Sequence, residues 1–165
     1  MTDERMGDAL WPSLAALPKG SGVVFRHYGT PDRKSLFKAM QRIARARRLV
    51  LVVAGPERLA IGWRAMGSHG RSPYPSTRLR TAPVHTHCER IAAERTGADL
   101  LFVSPVFATR SHAGAKGLGR VRFGLLVRSA KVPCIALGGM TKARAKPLKG
   151  LGVWGWAAID ALTRT

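Results

Sequence analysis

The sequence predicts an α/β fold of the TIM-type (β/α)8 kind, one strand short of a full set. Three observations carry that reading. Apolar runs of strand length alternate with helix-length segments from end to end. Two of the runs lie in Leu100-Leu-Phe-Val-Ser-Pro-Val-Phe-Ala-Thr-Arg-Ser-His112 and Val132-Pro-Cys-Ile-Ala-Leu-Gly-Gly-Met-Thr141, and each stops abruptly in small and polar residues. A strand buried on both faces reads this way when its C-terminal end opens into a ligand loop. Finally, 165 residues, 45% of them hydrophobic, suit one domain over residues 1–165. A complete barrel usually needs about 200 or more. An open flavodoxin-like sheet is the alternative, but it requires five strands and a phosphate loop after the first, and neither is present.

The elements follow in order. A helix over Gly7–Leu17 leads through Lys19-Gly-Ser-Gly22 to a strand at Gly22–His27. The next helix, Pro31–Arg48, puts Lys34, Lys38, Arg42 and Arg45 on one stripe and Leu36, Met40 and Ile43 on the opposite one. Strand Leu49–Ala54 follows, and Pro56-Glu57 opens a helix whose apolar side is Leu59, Ile61, Trp63 and Met66. Gly67–Arg71 is too short and polar to predict a strand firmly, and Ser72–Thr81 is Pro-rich and reads as a loop. Ala82–Thr86 is the next strand, and Thr86-His-Cys-Glu89 matches a capping box for a helix over Glu89–Thr96. Strand Leu100–Ser104, a long loop to Gly119, helix Arg120–Ala130 and strand Pro133–Leu137 come next. Thr141 is a good N-cap for Lys142–Leu148, which Pro147 shortens. The last strand is Val153–Ile159, and Ala161–Thr165 leaves one turn of a final helix.

The formal net charge of +19 points to anionic ligands or nucleic acid. Nucleic-acid binding is the lesser reading, because aromatics are sparse and no RNP, KH or zinc-finger pattern accompanies the charge. Cys88 and Cys134 have no metal-ligand spacing and are expected as reduced, semi-buried thiols. No apolar run approaches the roughly 18 residues of a membrane span and no secretory leader opens the sequence, so a cytoplasmic protein without membrane contact is expected.

Ser104-Pro-Val-Phe-Ala-Thr-Arg-Ser-His112 resembles the Gly-Pro-Val-Phe-x-Thr-x-Ser/Thr-Lys pattern that ends the sixth strand of the thiamine phosphate synthase/TenI superfamily. Ala136-Leu-Gly-Gly-Met-Thr141 resembles that family's seventh-strand motif, and Val84-His-Thr-His87 its fifth. The resemblance implies a thiamine-biosynthetic barrel that joins a pyrimidine diphosphate to a thiazole phosphate. It also implies that Met1-Thr-Asp-Glu-Arg5 corresponds to the end of the family's first strand, so that strand and most of the last helix are missing here. Two open sheet edges are then expected, and with them a homodimer, a swapped segment or a closed gap.

The resemblance further implies a phosphate site on the main chain at Gly138, Gly139, Ile159 and Asp160. Arg26, Thr109, Ser111 and His112 match substrate- or diphosphate-binding positions, His112 standing where the family has lysine. The family's Mg²⁺ carboxylates are absent: Ala54-Gly55 replaces one pair, and no acid lies between Glu57 and Glu89. No metal ligand or certain cofactor is therefore expected, and turnover is expected to be impaired. Arg26, Arg71 and Arg110 are the cations expected to neutralise a diphosphate instead. A non-catalytic phosphometabolite binder or TenI-type regulator, and a basic RNA-binding protein, are the alternatives. No catalytic residue is assigned.

Overall fold

In a computed structural model, which describes residues 1–109, 117–159 and 161, seven parallel strands form one curled sheet in the order β1 to β7. They are β1 (Gly22–Phe25), β2 (Val50–Ala54), β3 (Gly67–His69), β4 (Leu79–Val84), β5 (Leu100–Val103), β6 (Cys134–Ala136) and β7 (Gly155–Trp156). Each pairs only with its sequence neighbours, as successive βα units require. The helices are α1 (Leu10–Ala16), α2 (Arg33–Ala46), α3 (Glu57–Gly62), α4 (His87–Arg95), α5 (Gly119–Arg128) and α6 (Lys142–Ala145). The predicted barrel class stands, as a curled sheet with helices on its outer side.

Alternation along each strand builds three cores. Val24, Val52, Ala54, Phe102 and Ile135 face the concave interior. Val23, Phe25, Leu51 and Val53 point the other way, onto Phe37 and Met40 of α2. Leu101 and Val103 meet Phe123 and Leu126 of α5. The β1 edge and the segment after β7 are bridged by Met1-Thr2: the Met1 nitrogen donates to Ala158 O at 2.9 Å, and Thr2 N donates to Val24 O at 2.9 Å.

Several boundaries differ from the sequence reading. Gly67–His69 is a strand despite its polarity, because it lies between β2 and β4 with all three residues buried. Gly67 is required there: a Cβ would sit 2.0 Å from Leu79 O. The Ser72–Thr81 loop after it ends sooner than expected, since Leu79–Thr81 already belongs to β4. The first predicted helix divides at Gly7 into a 3-10 turn, Glu4–Ala9, and α1. On α3 the apolar side is Leu59, Ala60 and Trp63, whereas Ile61 and Met66 are exposed. Cys134 is buried as expected, but Cys88 lies exposed in the first turn of α4. Thr86 caps α4 by accepting from Glu89 N, while Glu89 Oε2 accepts from His85 N, one residue ahead of the expected box. Among the described residues no helix is long and apolar enough to cross a membrane.

Candidate functional site

A cleft opens at the C-terminal ends of the strands. Arg26 from the end of β1 lines it with Ser104, Pro105 and Thr109 after β5, Leu137–Met140 after β6, and Ala158, Ile159 and Ala161 beyond β7. Parallel strands deliver their C-terminal loops to one rim, so residues far apart in sequence meet there.

The geometry of that rim is set by backbone hydrogen bonds. Val106 N donates to Leu137 O at 2.9 Å and Phe107 N to Gly138 O at 3.1 Å. The loop after β5 therefore rides directly on the Gly138-Gly139 turn. Both glycines have left-handed backbones, with φ of 93° and 60°. A Cβ on Gly138 would lie 2.7 Å from Pro105 Cα, and one on Gly139 2.5 Å from Ala108 O. Only glycine satisfies the conformation and the close approach together. Arg144 holds the Gly139 carbonyl at 2.6 Å while its guanidinium stacks on Phe107 at 5.0 Å. Among the described residues no acceptor takes the N–H of Gly138, Gly139 or Ile159. The cleft thus combines main-chain donors with the half-buried Arg26.

Five of the predicted site residues meet in this cleft: Arg26, Thr109, Gly138, Gly139 and Ile159. Ser111, His112 and Asp160 lie outside the described residues, as does Arg110. Arg71 does not join them; it is exposed and bonds Glu89 at 2.6 Å, where the cap of α4 draws it away from the cleft. Of the fifth-strand motif, His85 Nδ1 lies 2.6 Å from Ser104 O and therefore donates to it, and His87 is exposed at the start of α4.

Sequence reasoning missed three cations that shape the rim and its support. Arg144, three residues past the Thr141 cap, shapes the glycine turn. Arg33 bonds Ala54 O at 2.7 Å and packs on Phe25, Tyr28 and Trp63 at 5.2–5.3 Å, fastening the ends of β1 and β2. Arg80, only 2% exposed, holds the loop between β3 and β4 by donating to the carbonyls of Ser72 and Tyr74. No sequence signal marks these roles, because each depends on which carbonyls the fold brings close.

Inside the barrel His69 Nδ1 pairs with Thr81 Oγ1 at 2.8 Å, and its ring meets Phe102 edge-on. Burial, with Arg26 adding repulsion, pushes the His69 pKa down to about 4. A neutral imidazole therefore stands beneath a cationic cleft. The resemblance implied Mg²⁺, and the donor set does not fit it. Gly55 and Gly70 follow β2 and β3, and among the described residues no group of three His, Cys, Asp or Glu side chains surrounds a common point. Magnesium favours carboxylate oxygens, and none lines the cleft among the described residues.

A sequence profile of thiamine monophosphate synthase matches residues 13–162. The chain belongs to that family. It is 40% identical over 77 residues to a thiamine-phosphate synthase of Chlorobium luteolum, covering 46% of this chain and 36% of the relative. It is 30% identical over 142 residues to that of Geobacillus kaustophilus, covering 79% of this chain and 64% of the relative. The chain thus spans less than two thirds of the length of these relatives. Among solved structures, a thiamine phosphate pyrophosphorylase from Pyrococcus furiosus superposes with a TM-score of 0.83 at 25% identity, covering 99% of this chain and 85% of that one. Membership of the family and the superposition support the expected barrel class.

Proposed function

We propose that residues 1–165 act as one thiamine phosphate synthase-like domain that binds the phosphorylated thiazole and/or the pyrimidine diphosphate of thiamine biosynthesis in the cleft between β5, β6 and β7. The observation that carries this reading is the set of N–H groups on Gly138, Gly139 and Ile159, which meet Arg26 in one pocket and have no acceptor among the described residues. Gly138 is buried and Gly139 and Ile159 are half-buried, and main-chain donors left unpaired beside a cation suit an anionic ligand. The relatives carry names of thiamine-phosphate synthases, which supports the substrate class.

Condensation at this cleft is expected to be weak. Expulsion of diphosphate puts negative charge on a leaving group that a metal ordinarily neutralises. Among the described residues Arg26 is the cation that lines the cleft, and Arg71 is engaged with Glu89. That distribution favours binding over fast turnover, which places a non-catalytic or regulatory phosphometabolite binder as the second reading.

Two assays on the full chain separate the readings. Thiazole phosphate should raise the melting temperature equally with and without Mg²⁺, while formation of thiamine phosphate from both substrates should be slow and little changed by the metal. Strong Mg²⁺-dependent turnover would overturn the impaired reading. Absence of any thermal shift with either phosphorylated substrate would overturn the binding site itself.

A further inference from the structure

We propose that the opposite end of the barrel, where the strands begin, is a docking face for the phosphate backbone of a nucleic acid. This rests on the loop geometry there and does not depend on the cleft reading.

In a parallel sheet every helix-to-strand loop arrives at the same end. Those loops, with the helix ends that feed them, carry exposed Lys19 before β1, Arg47 and Arg48 before β2, Arg64 before β3, Arg95 before β5 and Lys131 before β6. Of the carboxylates at that end, Glu94 is paired with Arg90 and Asp99 is held by a main-chain donor. Asp99 accepts from Arg80 N at 2.8 Å, and Glu94 accepts from Arg90 Nη1 at 2.7 Å and Lys131 N at 2.8 Å. Among the described residues, the ion pairs join Arg5 to Asp3, Arg71 to Glu89 and Arg90 to Glu94, so none neutralises these exposed cations.

A second observation concerns the backbone. α2, α3 and α4 end in the same C-terminal motif: Leu49 N, Ala65 N and Ala98 N each donate to the carbonyl five residues earlier, Ala44, Ala60 and Ala93. The residue before each donor must be left-handed, a position that glycine favours. Gly97 occupies it after α4, with φ of 75°, but after α2 and α3 it is Arg48 and Arg64, with φ of 54° and 55°. These are the positive-φ residues other than glycine among those described. Two arginines thus hold a conformation that disfavours side chains, on one face, and both are exposed there. Planar guanidinium forks suit phosphate oxygens, and several spaced along one face suit a repeating backbone charge.

The test is fluorescence anisotropy with a labelled random-sequence RNA duplex of about 20 base pairs between about 50 and 200 mM salt. The full chain should bind with an affinity that falls linearly on a log–log plot. Arg48→Gly with Arg64→Gly should weaken binding about tenfold or more at the low-salt end and shallow the salt slope by about two. Because glycine suits both turns, the melting temperature should hold or rise, and the thermal shift with thiazole phosphate should persist. Lys19→Gln with Arg95→Gln, which leaves both turns untouched, should weaken binding in the same direction. Arg58→Gln with Arg122→Gln removes equal charge from the first turns of α3 and α5 and should have little effect. The proposal is overturned if the full chain ignores the duplex or binds only phosphatidylserine vesicles. It is equally overturned if the Arg58/Arg122 pair costs as much affinity as the Arg48/Arg64 pair.

Discussion

Phe107 N–H donates to Gly138 O at 3.1 Å, which locks the loop after β5 onto the turn after β6. Two motifs separated by a helix in the sequence therefore form one rigid wall of the cleft. A change in either should be felt by both.

Gly138→Ala tests that wall. The new Cβ would meet Pro105 at 2.7 Å in a backbone already at φ 93°. Strain and overlap together should cost about 2–4 kcal/mol, read as a lower urea midpoint, and should abolish the thermal shift with thiazole phosphate. An alanine variant of unchanged stability would show that the turn is free to move.

Arg26→Gln tests the charge of the cleft. Arg26 lines the pocket and is half-buried. Loss of one charge-assisted contact should weaken thiazole phosphate binding about tenfold or more, with little change in melting temperature. Calorimetric titration of both proteins reads the difference. Equal affinities would remove Arg26 from the site.

Acid sensitivity should follow from His69. Its folded pKa of about 4 lies below the ordinary value of 6.5, so between those limits the unfolded chain takes up the proton and the folded one does not. Stability should therefore be full above about pH 6.5 and decline as pH falls toward 4, by an upper limit of about 3 kcal/mol. Burial lowers the pKa of His27 as well, in the same sense. Urea midpoints at neutral and acid pH should fall further apart for the native chain than for His69→Gln. An identical pH slope in the variant would place the acid sensitivity elsewhere.

Arg80→Met should loosen the segment between β3 and β4. Arg80 Nη1 donates to Tyr74 O at 3.0 Å and to Thr96 O, and Nη2 donates to Ser72 O at 3.2 Å and Thr96 Oγ1 at 2.6 Å. Removal leaves those carbonyls without their donor and should cost about 3 kcal/mol. Limited proteolysis should then cut between Arg71 and Arg78 before the rest of the chain. A variant with native resistance would show that other contacts hold the loop.

Much of the rim was legible from sequence because its chemistry is carried by residue type at fixed positions. Gly138, Gly139 and Thr109 were named from motifs, and the fold brings them to Arg26 and Ile159. The parallel order was equally readable, since β2, β5 and β6 are apolar runs buried on both faces. What escaped was set by tertiary position. Gly67–His69 has no apolar pattern, and it is a strand because neighbours on both sides bury it. Arg80 and Arg33 look like surface cations in sequence, yet each serves carbonyl groups that other elements leave exposed. Arg71 was expected in the cleft, and a nearer carboxylate, Glu89, claims it.

The most direct measurement is an NMR titration of the full chain with inorganic phosphate in the absence of Mg²⁺, followed on the amide resonances of Gly138, Gly139 and Ile159. Saturable downfield shifts confined to these amides and their neighbours, and lost in Arg26→Gln, are expected. Static resonances at all three positions while phosphate reaches millimolar excess would contradict an anion site between β6 and β7.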